Sequence, residues 1–282
     1  MMILKKASDL SKYIGKMKAE GFTIGFVPTM GALHKGHISL IDASRNQCGI
    51  TACSIFVNPT QFNDQQDFEK YPSTLDQDIC LLEESGCDIL FIPTVHEIYP
   101  TGTDLLKQYD LGPIESILEG KYRPGHFQGV CQVVHRLLEI TTPDLLFLGQ
   151  KDFQQCMVIK KMMEISGFDT IRVNICPTLR EKNGLAMSSR NMRLSDDGKE
   201  MAGIIFTALD SVKKELSPGN IRPLKEKAIT TLQVSGFRVD YFEIAETEGL
   251  AICDDWDGRK KLVAITAAFL EEVRLIDNLL LN

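Results

Sequence analysis

The sequence lacks the features that mark membrane, secreted and nucleic-acid-binding proteins. Its longest strongly apolar segment, residues 262–270, is shorter than the roughly 20 residues that span a bilayer, so no membrane partner is expected. Lys5 and Lys6 follow only four residues and precede no apolar run, which argues against a secretory signal peptide. The chain has 31 basic and 38 acidic residues, a formal net charge of −7, and no block of five like charges. Nucleic acid is therefore not expected as the main partner, although one cleft can still hold a phosphate.

A disulfide framework is also missing. The eight cysteines are irregularly spaced and include no Cys-x-x-Cys pair. A chain of this length buries enough apolar surface to fold without a staple. We therefore expect reduced thiols and a cytoplasmic location.

What the sequence does contain is ordinary globular composition, with 44% hydrophobic and 24% charged residues over 282 positions. Buried strands are predicted at residues 22–27, 50–57, 88–92, 145–148 and 170–175. Helices are predicted at residues 3–20, 36–47, 75–85, 129–140 and 153–166, and a long loop at residues 99–125. This alternation of strands and helices predicts a parallel sheet with right-handed crossovers.

The pattern changes near residue 182. One long amphipathic helix is predicted at residues 195–216 and another at 224–234. Strands are predicted at residues 237–244, 261–269 and 272–276, the last two close enough to pair antiparallel. We therefore predict two domains in an α/β chain, residues 1–182 and residues 183–282, the second a smaller α+β domain.

The segment PTMGALHKGH, residues 28–37, lies where the first of the buried strands turns into a helix. Such a turn is the usual ligand crevice of a parallel sheet. Gly31 and Gly36 allow the backbone to approach a ligand, and the following helix N-terminus favours an anion. His34 and His37 lie one helical turn apart and can donate hydrogen bonds to phosphate oxygens. The alternatives are a structural histidine pair or two metal ligands; zinc is disfavoured because no Cys or carboxylate stands nearby at ligand spacing.

Two further motifs follow later strands of the predicted sheet. The amides of NPTQF, residues 58–62, suit a ligand rich in hydroxyls, although an Asn-Pro turn explains them equally well. In GQKDFQQ, residues 149–155, Lys151 opposes the dipole of the helix that it opens, which an anionic ligand would explain. Asp152 is favourable for the dipole alone, and Gln155 lies one turn beyond Lys151.

Two loops add polar candidates. MSSRN, residues 187–191, puts two hydroxyls beside a guanidinium, which can hold a phosphate. The alternative is a loop that caps the next helix. RPGHFQG, residues 123–129, places Arg123 and His126 before a helix, where a loop anchor is nearly as plausible as a ligand.

His34-x-x-His37 together with residues 187–190 resembles the paired signatures of the HIGH-type nucleotidyltransferases, which include class I aminoacyl-tRNA synthetases. A fuller set of motifs resembles the pantothenate synthetase (pantoate–β-alanine ligase) family and spans nearly the whole chain. That set is PTMG at 28–31, FVNP at 56–59, QF at 61–62, YP at 71–72, RPGHF at 123–127, GQKDFQQ at 149–155, SSRN at 188–191 and RLIDN at 274–278.

The resemblance implies a Rossmann-like first domain and an ATP-dependent condensation of (R)-pantoate with β-alanine. Pantoate would attack the α-phosphate of ATP and release pyrophosphate, and β-alanine would then displace AMP from the pantoyl adenylate. Mg²⁺ would accompany the ATP. The resemblance also implies a homodimer.

The same resemblance implies roles for individual residues. The implied catalytic residues are His37 as general acid, His34, Lys151 and Arg190. The implied ATP-binding residues are Met30, Gly31, His34, His37, Gly149, Gln150, Lys151, Asp152, Leu179, Met187, Ser188, Ser189 and Arg190. Gln61 and Gln155 would hold pantoate, with Gln61 also meeting β-alanine, and the residues expected near the substrates are Asn58, Arg123 and His126. No protein ligand for a metal is assigned. Asp76 and Asp78, on the helix after the YP motif, are candidates to serve Mg²⁺, but we favour the alternative that they are solvated helix carboxylates.

Other functions would require different sets of residues. A cytidylyl- or adenylyltransferase of the same superfamily would share His34 and His37 but would not need Gln61 and Gln155. An aminoacyl-tRNA synthetase would need a longer chain and a basic face. A non-catalytic nucleotide sensor would keep the phosphate ligands without requiring both histidines and both glutamines.

Overall fold

This computed structural model describes residues 1–62, 68–69, 71–103 and 106–282. The chain divides into two compact units, which are described separately. Unit 1 comprises residues 1–149 and 158–176, and unit 2 comprises residues 150–157 and 177–282. The assignment of functions to domains split at residue 182 stays a prediction.

Unit 1 is built on a six-stranded parallel sheet with the order β1-β4-β3-β2-β5-β6. Its strands are β1 (Met2–Leu4), β2 (Ile24–Thr29), β3 (Ile50–Ile55), β4 (Ile89–Phe91), β5 (Leu145–Gly149) and β6 (Arg172–Cys176). Up to residue 141, the helices whose bounds the structure describes are α1 (Ala7–Ala19), α2 (Lys35–Arg45), α3 (Leu75–Glu84), α4 (Val95–Ile98), α5 (Glu119–Tyr122) and α6 (His126–Thr141). Helix α7 (Phe153–Ile165) begins in the residues of unit 2 and continues in those of unit 1.

The central strands carry the apolar runs that both faces of a helix-covered sheet require. Phe26, Phe91 and Phe147 are fully buried. Strand β2 lies between β3 and β5. After β2 the chain adds β3 and β4 on one side of it, and later β5 and β6 on the other, so β2 is the point at which the strand order reverses. Ligands of open parallel sheets bind beyond the carboxyl ends of the strands at such a point. The Rossmann-like parallel sheet is therefore confirmed, and it places the residues after β2 and β3 at that edge.

Unit 2 combines helices with small antiparallel sheets around its own apolar core. Its later elements are α8 (Asp196–Ala202), α9 (Ile204–Glu215), β7 (Gly219–Asn220), α10 (Arg222–Val234), β8 (Arg238–Glu246), β9 (Asp255–Trp256), β10 (Leu262–Leu270) and β11 (Val273–Leu280). Strand β10 pairs antiparallel with both β8 and β11. The predicted antiparallel pair is thus confirmed, whereas the short pair β7–β9 is not part of the sequence prediction.

Two predicted helices differ from the structure. The predicted helix at 3–20 is wrong at its start, because Met2–Leu4 forms β1 and pairs parallel with β4. The predicted single helix at 195–216 is wrong because it is divided at Gly203 into α8 and α9. The side-chain amide of Asn183 donates to the carbonyls of Lys199 and Glu200 at 2.8 and 3.3 Å, which satisfies the end of α8.

The predicted loop at residues 99–125 is only partly irregular. It contains a 3₁₀ turn at Gly112–Glu115 and the short helix α5, while residues 104 and 105 lie outside the described part of the chain. Among the described residues, no helix is both long enough and apolar enough to cross a membrane.

Candidate active site

The loop after β2 is held by a buried carboxylate from helix α3. Asp78, 1% exposed, accepts hydrogen bonds from the backbone N–H groups of Ala32 and Leu33 at 2.9 and 2.8 Å. It also accepts from Thr74 Oγ1 at 3.1 Å. Ala32 has φ of 49°, a left-handed conformation that non-glycine residues rarely adopt. Asp78 therefore fixes a strained turn, and the expectation that it is a solvated helix carboxylate is wrong.

The two histidines cap the helix that follows this loop. His34 is the N-cap of α2, and its Nδ1 accepts from Gly36 N at 3.1 Å. His37 Nδ1 accepts from His34 N at 3.3 Å, which completes a reciprocal capping box. A ring nitrogen that accepts from a backbone N–H carries no proton, so each neutral ring bears its hydrogen on Nε2. The cap thus sets both histidines as Nε2–H donors.

Gln61 lies at the end of a 3₁₀ turn, Pro59–Gln61, just beyond β3. Its side chain meets Asn58 Nδ2 at 3.3 Å and also contacts Met30 Sδ. Unit 1 therefore brings together Met30, predicted to bind ATP, and Gln61, predicted to bind pantoate. Both residues lie just beyond neighbouring strands of the sheet.

Asn58 is buried at 1% exposure and bonded to the protein through both ends of its amide. Its Nδ2 also donates to the Gly129 carbonyl at 3.1 Å, and its Oδ1 accepts from the Tyr99 hydroxyl at 2.9 Å. Its Oδ1 also accepts from the Thr60 N–H at 3.3 Å, the Asn-Pro turn considered as the alternative. Burial raises the pKa of Tyr99, so its hydroxyl keeps the proton that it donates. These hydrogen bonds indicate that Asn58 holds the turn that carries Gln61. Its predicted contact with substrate stays a prediction.

His126 connects Gln61 to Arg123. Its Nδ1 lies 2.8 Å from the Gln61 carbonyl oxygen and its Nε2 lies 3.1 Å from Arg123 Nη1. A guanidinium only donates and a carbonyl only accepts, so this ring is protonated on Nδ1. His126 is 6% exposed and anchors the turn; as a substrate ligand it stays a prediction.

Helix α6 approaches the Gln61 turn at a glycine. A Cβ atom on Gly129 would lie 2.3 Å from the Thr60 carbonyl oxygen and 2.7 Å from the Gln61 Cα atom. Only glycine permits this approach, since real Cβ contacts do not come that close. Gly129 therefore sets the position of Gln61 through the backbone.

In unit 2, the predicted phosphate-binding residues of GQKDFQQ form a 3₁₀ turn, Gln150–Asp152, immediately before α7. Lys151 Nζ lies 3.8 Å from the Asp152 carboxylate, and the Lys151 side chain is 18% exposed. Gln155 is half-buried in the first turn of α7. Gly149, the last residue of β5, belongs to unit 1.

The second predicted phosphate-binding segment of unit 2 follows a small hairpin. Leu179 and Met187 pair through a 3.0 Å backbone hydrogen bond, and Leu179 is 39% exposed. Ser188 caps the 3₁₀ turn Ser189–Arg193 by accepting from the Arg190 N–H at 3.3 Å. Ser188 thus caps this short turn, whereas the next helix, α8, is capped by Ser195 and not by this segment as the alternative had it. The predicted phosphate contacts of Ser188, Ser189 and Arg190 stay predictions.

The residues that sequence reasoning missed are buried polar anchors. Asp78 carries a helical signal, because it precedes the fully buried Leu82 by four residues and so shares its face. Asp277 carries a strand signal, because it alternates with the buried Val273 and Leu275. In both cases the spacing predicts burial, although the residue type suggests exposure.

The chemistry available is that of positioned donors and amides. Among the described residues, no group of three or more His, Cys, Asp or Glu side chains is arranged to hold a metal ion. None of the eight cysteines, all in described segments, forms a disulfide. Burial raises the pKa of Cys53 and raises that of Cys87 and Cys131 to about 12, so these thiols are poor nucleophiles.

Comparison with known proteins gives full-length matches. The sequence profile of the Pantoate-beta-alanine ligase family matches residues 2–280. The pantothenate synthetase of Azobacteroides pseudotrichonymphae is 43% identical over 281 residues, which is 99% of both chains. The crystal structure of pantothenate synthetase from Thermus thermophilus has a TM-score of 0.89 at 37% identity and covers 99% of both chains.

A third relative is a ligand complex. Pantoate–β-alanine ligase from Francisella tularensis, solved with β-γ ATP and β-alanine, has a TM-score of 0.81 and 37% identity. That match covers 99% of this chain and 97% of the relative. The profile match and the relatives all extend over nearly the whole chain. The chain therefore belongs to the pantoate–β-alanine ligase family.

Proposed function

We propose that this ligase, which condenses pantoate with β-alanine in an ATP-dependent reaction, works through a pantoyl adenylate. In the first step a pantoate carboxylate oxygen bonds to the α-phosphorus, and the bond from that phosphorus to the pyrophosphate oxygen breaks. In the second step the β-alanine amine bonds to the acyl carbon, the acyl–AMP bond breaks, and the nitrogen loses a proton. The products are pantothenate, AMP and pyrophosphate.

This route asks the protein to align two substrates and to stabilise developing charge. No covalent enzyme intermediate is required. The observation that carries the proposal is the capping box, which sets His34 and His37 as Nε2–H donors. Both rings lie at the carboxyl edge of β2, in the same unit as Gln61. In this proposal both rings donate hydrogen bonds that stabilise the negative charge growing on the α-phosphate, and His37 is the principal donor.

The remaining unit 1 roles follow the chemistry of the side chains. Met30 and Gly31 bind ATP beside the histidines. Gln61 binds pantoate and β-alanine through its amide, and its neighbours Asn58, Arg123 and His126 keep it in place or reach the substrates themselves. The contact between Gln61 and Met30 supports placing the carboxylate next to the nucleotide.

The unit 2 roles concern the phosphates and pantoate. Lys151 and Arg190 supply positive charge, while Gln150 and Asp152 contribute the adjoining polar groups. Gly149, the last residue of β5 in unit 1, contributes backbone to the nucleotide. Leu179 and Met187 contact the nucleotide, and Ser188 and Ser189 donate to the triphosphate. Gln155 is a pantoate ligand. In this proposal residues 1–182 form the domain for ATP and pantoate, and residues 183–282 form a lid that protects the adenylate from water.

Mg²⁺ is expected to enter with ATP. The described residues offer no cluster suited to a bound metal ion, so we assign no protein ligand to it and no step to it. A homodimer, testable by light scattering, and a cytoplasmic location complete the proposal.

The decisive experiment measures pyrophosphate release in the absence of β-alanine. We expect a burst of one pyrophosphate per active site with ATP and pantoate, and ¹⁸O from the pantoate carboxylate should reach AMP after β-alanine is added. Release that is equally fast with unrelated carboxylic acids would contradict the substrate. Release that requires β-alanine would contradict the adenylate route.

A further inference from the structure

The end of strand β11 buries two polar residues that have no role in the proposed chemistry. Asp277 is 3% exposed and Asn278 is 1% exposed. Buried polar groups destabilise a fold unless each one finds hydrogen-bond partners. The partners of this pair therefore indicate what the pair is for.

Asn278 holds the turn that carries Lys151. Its Nδ2 donates to the carbonyl oxygens of Gln150 and Lys151 at 2.8 and 2.9 Å. Its Oδ1 accepts from Gln150 Nε2 at 3.2 Å. A side-chain amide nitrogen has two hydrogens, and both are used on consecutive carbonyls. One side chain thus fixes the direction of the backbone from which Lys151 projects.

Asp277 holds the hairpin that leads to Ser188 and Arg190. Its carboxylate accepts two hydrogen bonds from the Arg180 guanidinium, at 2.6 and 3.0 Å. Arg180 also donates to the carbonyls of Gly184 and Asn278 at 3.0 and 3.1 Å. Burial raises the pKa of Asp277, and the Arg180 guanidinium opposes that shift.

The guanidinium of Arg180 is also supported by an aromatic ring of α9. It lies 4.2 Å from the ring centroid of Phe206, and Arg180 pairs with Ala186 across the hairpin. The Arg180 side chain bonds one carbonyl of the hairpin loop, that of Gly184. Backbone bonds from Glu181 to Leu185 and from Met187 to Leu179 close the hairpin on either side of Arg180. The hairpin therefore fixes the position of the backbone at the start of residues 187–190.

We propose that Arg180, Asp277 and Asn278 are positioning residues that order both unit 2 phosphate-binding segments before ATP arrives. The proposal rests on the proposed function, since it takes Lys151 and residues 187–190 as ATP contacts. Ordering a loop in advance lowers the conformational entropy that binding must overcome. Loss of an anchor should therefore weaken ATP binding more than pantoate binding.

The test compares Asn278→Ala with Asn282→Ala by calorimetry and steady-state kinetics. Asn282 is a matched control, because its amide also bonds backbone groups, those of Lys260 and Leu262. We expect Asn278→Ala to raise the Kd for ATP about tenfold, the effect of loosening one well-oriented contact, with the pantoate Kd unchanged. Asn278→Asp, which replaces the donating nitrogen by an acceptor, should bind ATP at least as weakly. Asn282→Ala should bind both ligands like the parent protein.

A double-mutant cycle with Lys151→Ala separates positioning from general destabilisation. If Asn278 acts through Lys151, Asn278→Ala should change the ATP Kd less than about twofold in the Lys151→Ala background. Arg180→Lys keeps the buried positive charge but loses the bidentate contact with Asp277. This second variant should weaken ATP binding and leave pantoate binding unchanged.

The outcomes are distinct. If Lys151→Ala weakens ATP binding but Asn278→Ala and Arg180→Lys do not, the positioning role is overturned and the proposed function stands. Equal losses in ATP and pantoate affinity, or additive effects in the cycle, would also overturn it, because they indicate a merely structural role. If Lys151→Ala leaves ATP binding intact, the assignment of this segment to ATP fails and the positioning role fails with it.

Discussion

The loop at Gly31–His37 in unit 1 and the turn at Gln150–Asp152 in unit 2 are both assigned to the phosphates of ATP, yet they are stabilised differently. In the first, His34 and His37 cap each other's backbone, and Asp78 of α3 holds the preceding residues Ala32 and Leu33. The second depends on Asn278, 127 residues beyond Lys151. A local motif can therefore supply part of its own support in one region, whereas in another a distant strand must position its residues.

Both regions share one device, a buried polar side chain that bonds two consecutive backbone groups. Asp78 accepts from the N–H groups of Ala32 and Leu33, and Asn278 donates to the carbonyls of Gln150 and Lys151. The chemistry is inverted between them, because one turn presents its amides and the other its carbonyls. The account predicts that the first region governs the rate of the phosphate chemistry and the second governs the affinity for ATP.

The largest expected effect concerns His37. We expect His37→Ala to slow pantoate-dependent pyrophosphate release about 10²–10³-fold, as when an oxyanion donor is lost, while ATP still binds. The half of the capping box that His37 supplies is lost as well, which should lower the free energy of unfolding by about 1 kcal/mol. Quench-flow release and thermal unfolding, measured on the same samples, give the two quantities.

The two roles of His37 can be separated with residues that favour the third helical position. Gln and Glu both complete a capping box there, but only Gln also offers a donor. His37→Gln should regain stability and part of the rate, whereas His37→Glu should be stable and slow. A His37→Glu enzyme that is as fast as the parent would remove His37 from the chemistry.

The next effect concerns Gln155, which tests whether unit 2 serves only ATP. Loss of a hydrogen bond in a closed site costs about 1–3 kcal/mol, or a factor of about 5–150. We expect Gln155→Ala to raise the KM for pantoate by such a factor and to change the ATP Kd much less. Calorimetric titrations of both ligands check this, and equal losses would count against the assignment.

A smaller effect is expected at Asp78, which tests how much the first loop depends on this residue of α3 besides its own histidines. In Asp78→Asn one backbone N–H of Ala32 or Leu33 loses its acceptor, which should lower the unfolding free energy by about 1–3 kcal/mol. The displaced loop should reduce kcat about tenfold, the effect of a modest misalignment. Asp76→Asn, two residues earlier at an exposed position of the same helix, is the control and should match the parent.

If folded Asp78→Asn protein turns over at the parent rate, the capping histidines alone position the loop. The contrast between the two regions would then be sharper than the structure suggests. Denaturant unfolding, run beside the kinetics, supplies the folded fraction.

The smallest effect is expected from alkylation. Cys80 is exposed, whereas Cys53 and Cys156 are buried near the motifs. A thiol with a pKa raised above its usual range has little thiolate near neutral pH, so its alkylation should be slow and should speed up only in strong base. Mild iodoacetamide should therefore label Cys80 first and leave pantothenate synthesis intact, as mass spectrometry and activity assays can show. Rapid inactivation that ATP prevents would place a thiol at the site.

Much of this arrangement is predictable from the sequence, because the central strands are continuous apolar runs and the motifs follow them. What escapes prediction depends on tertiary partners. Met2–Leu4 is a strand only because β4 offers an edge, and the helix predicted across Gly203 ends early because Asn183 takes its carbonyls. The anchors Asp78 and Asn278 escape for the same reason, since their partners lie far away along the chain.

The contrast between the two regions is tested most directly by single-turnover pyrophosphate release measured against ATP concentration for His37→Ala and Asn278→Ala in parallel. A residue that acts in the transition state lowers the rate at every ATP concentration, whereas one that supports ATP binding raises the concentration required. We predict that His37→Ala stays about 10²–10³-fold slow at saturating ATP, while Asn278→Ala approaches the parent rate. If saturating ATP restores His37→Ala, or leaves both variants equally slow, the division of roles between the two regions is contradicted.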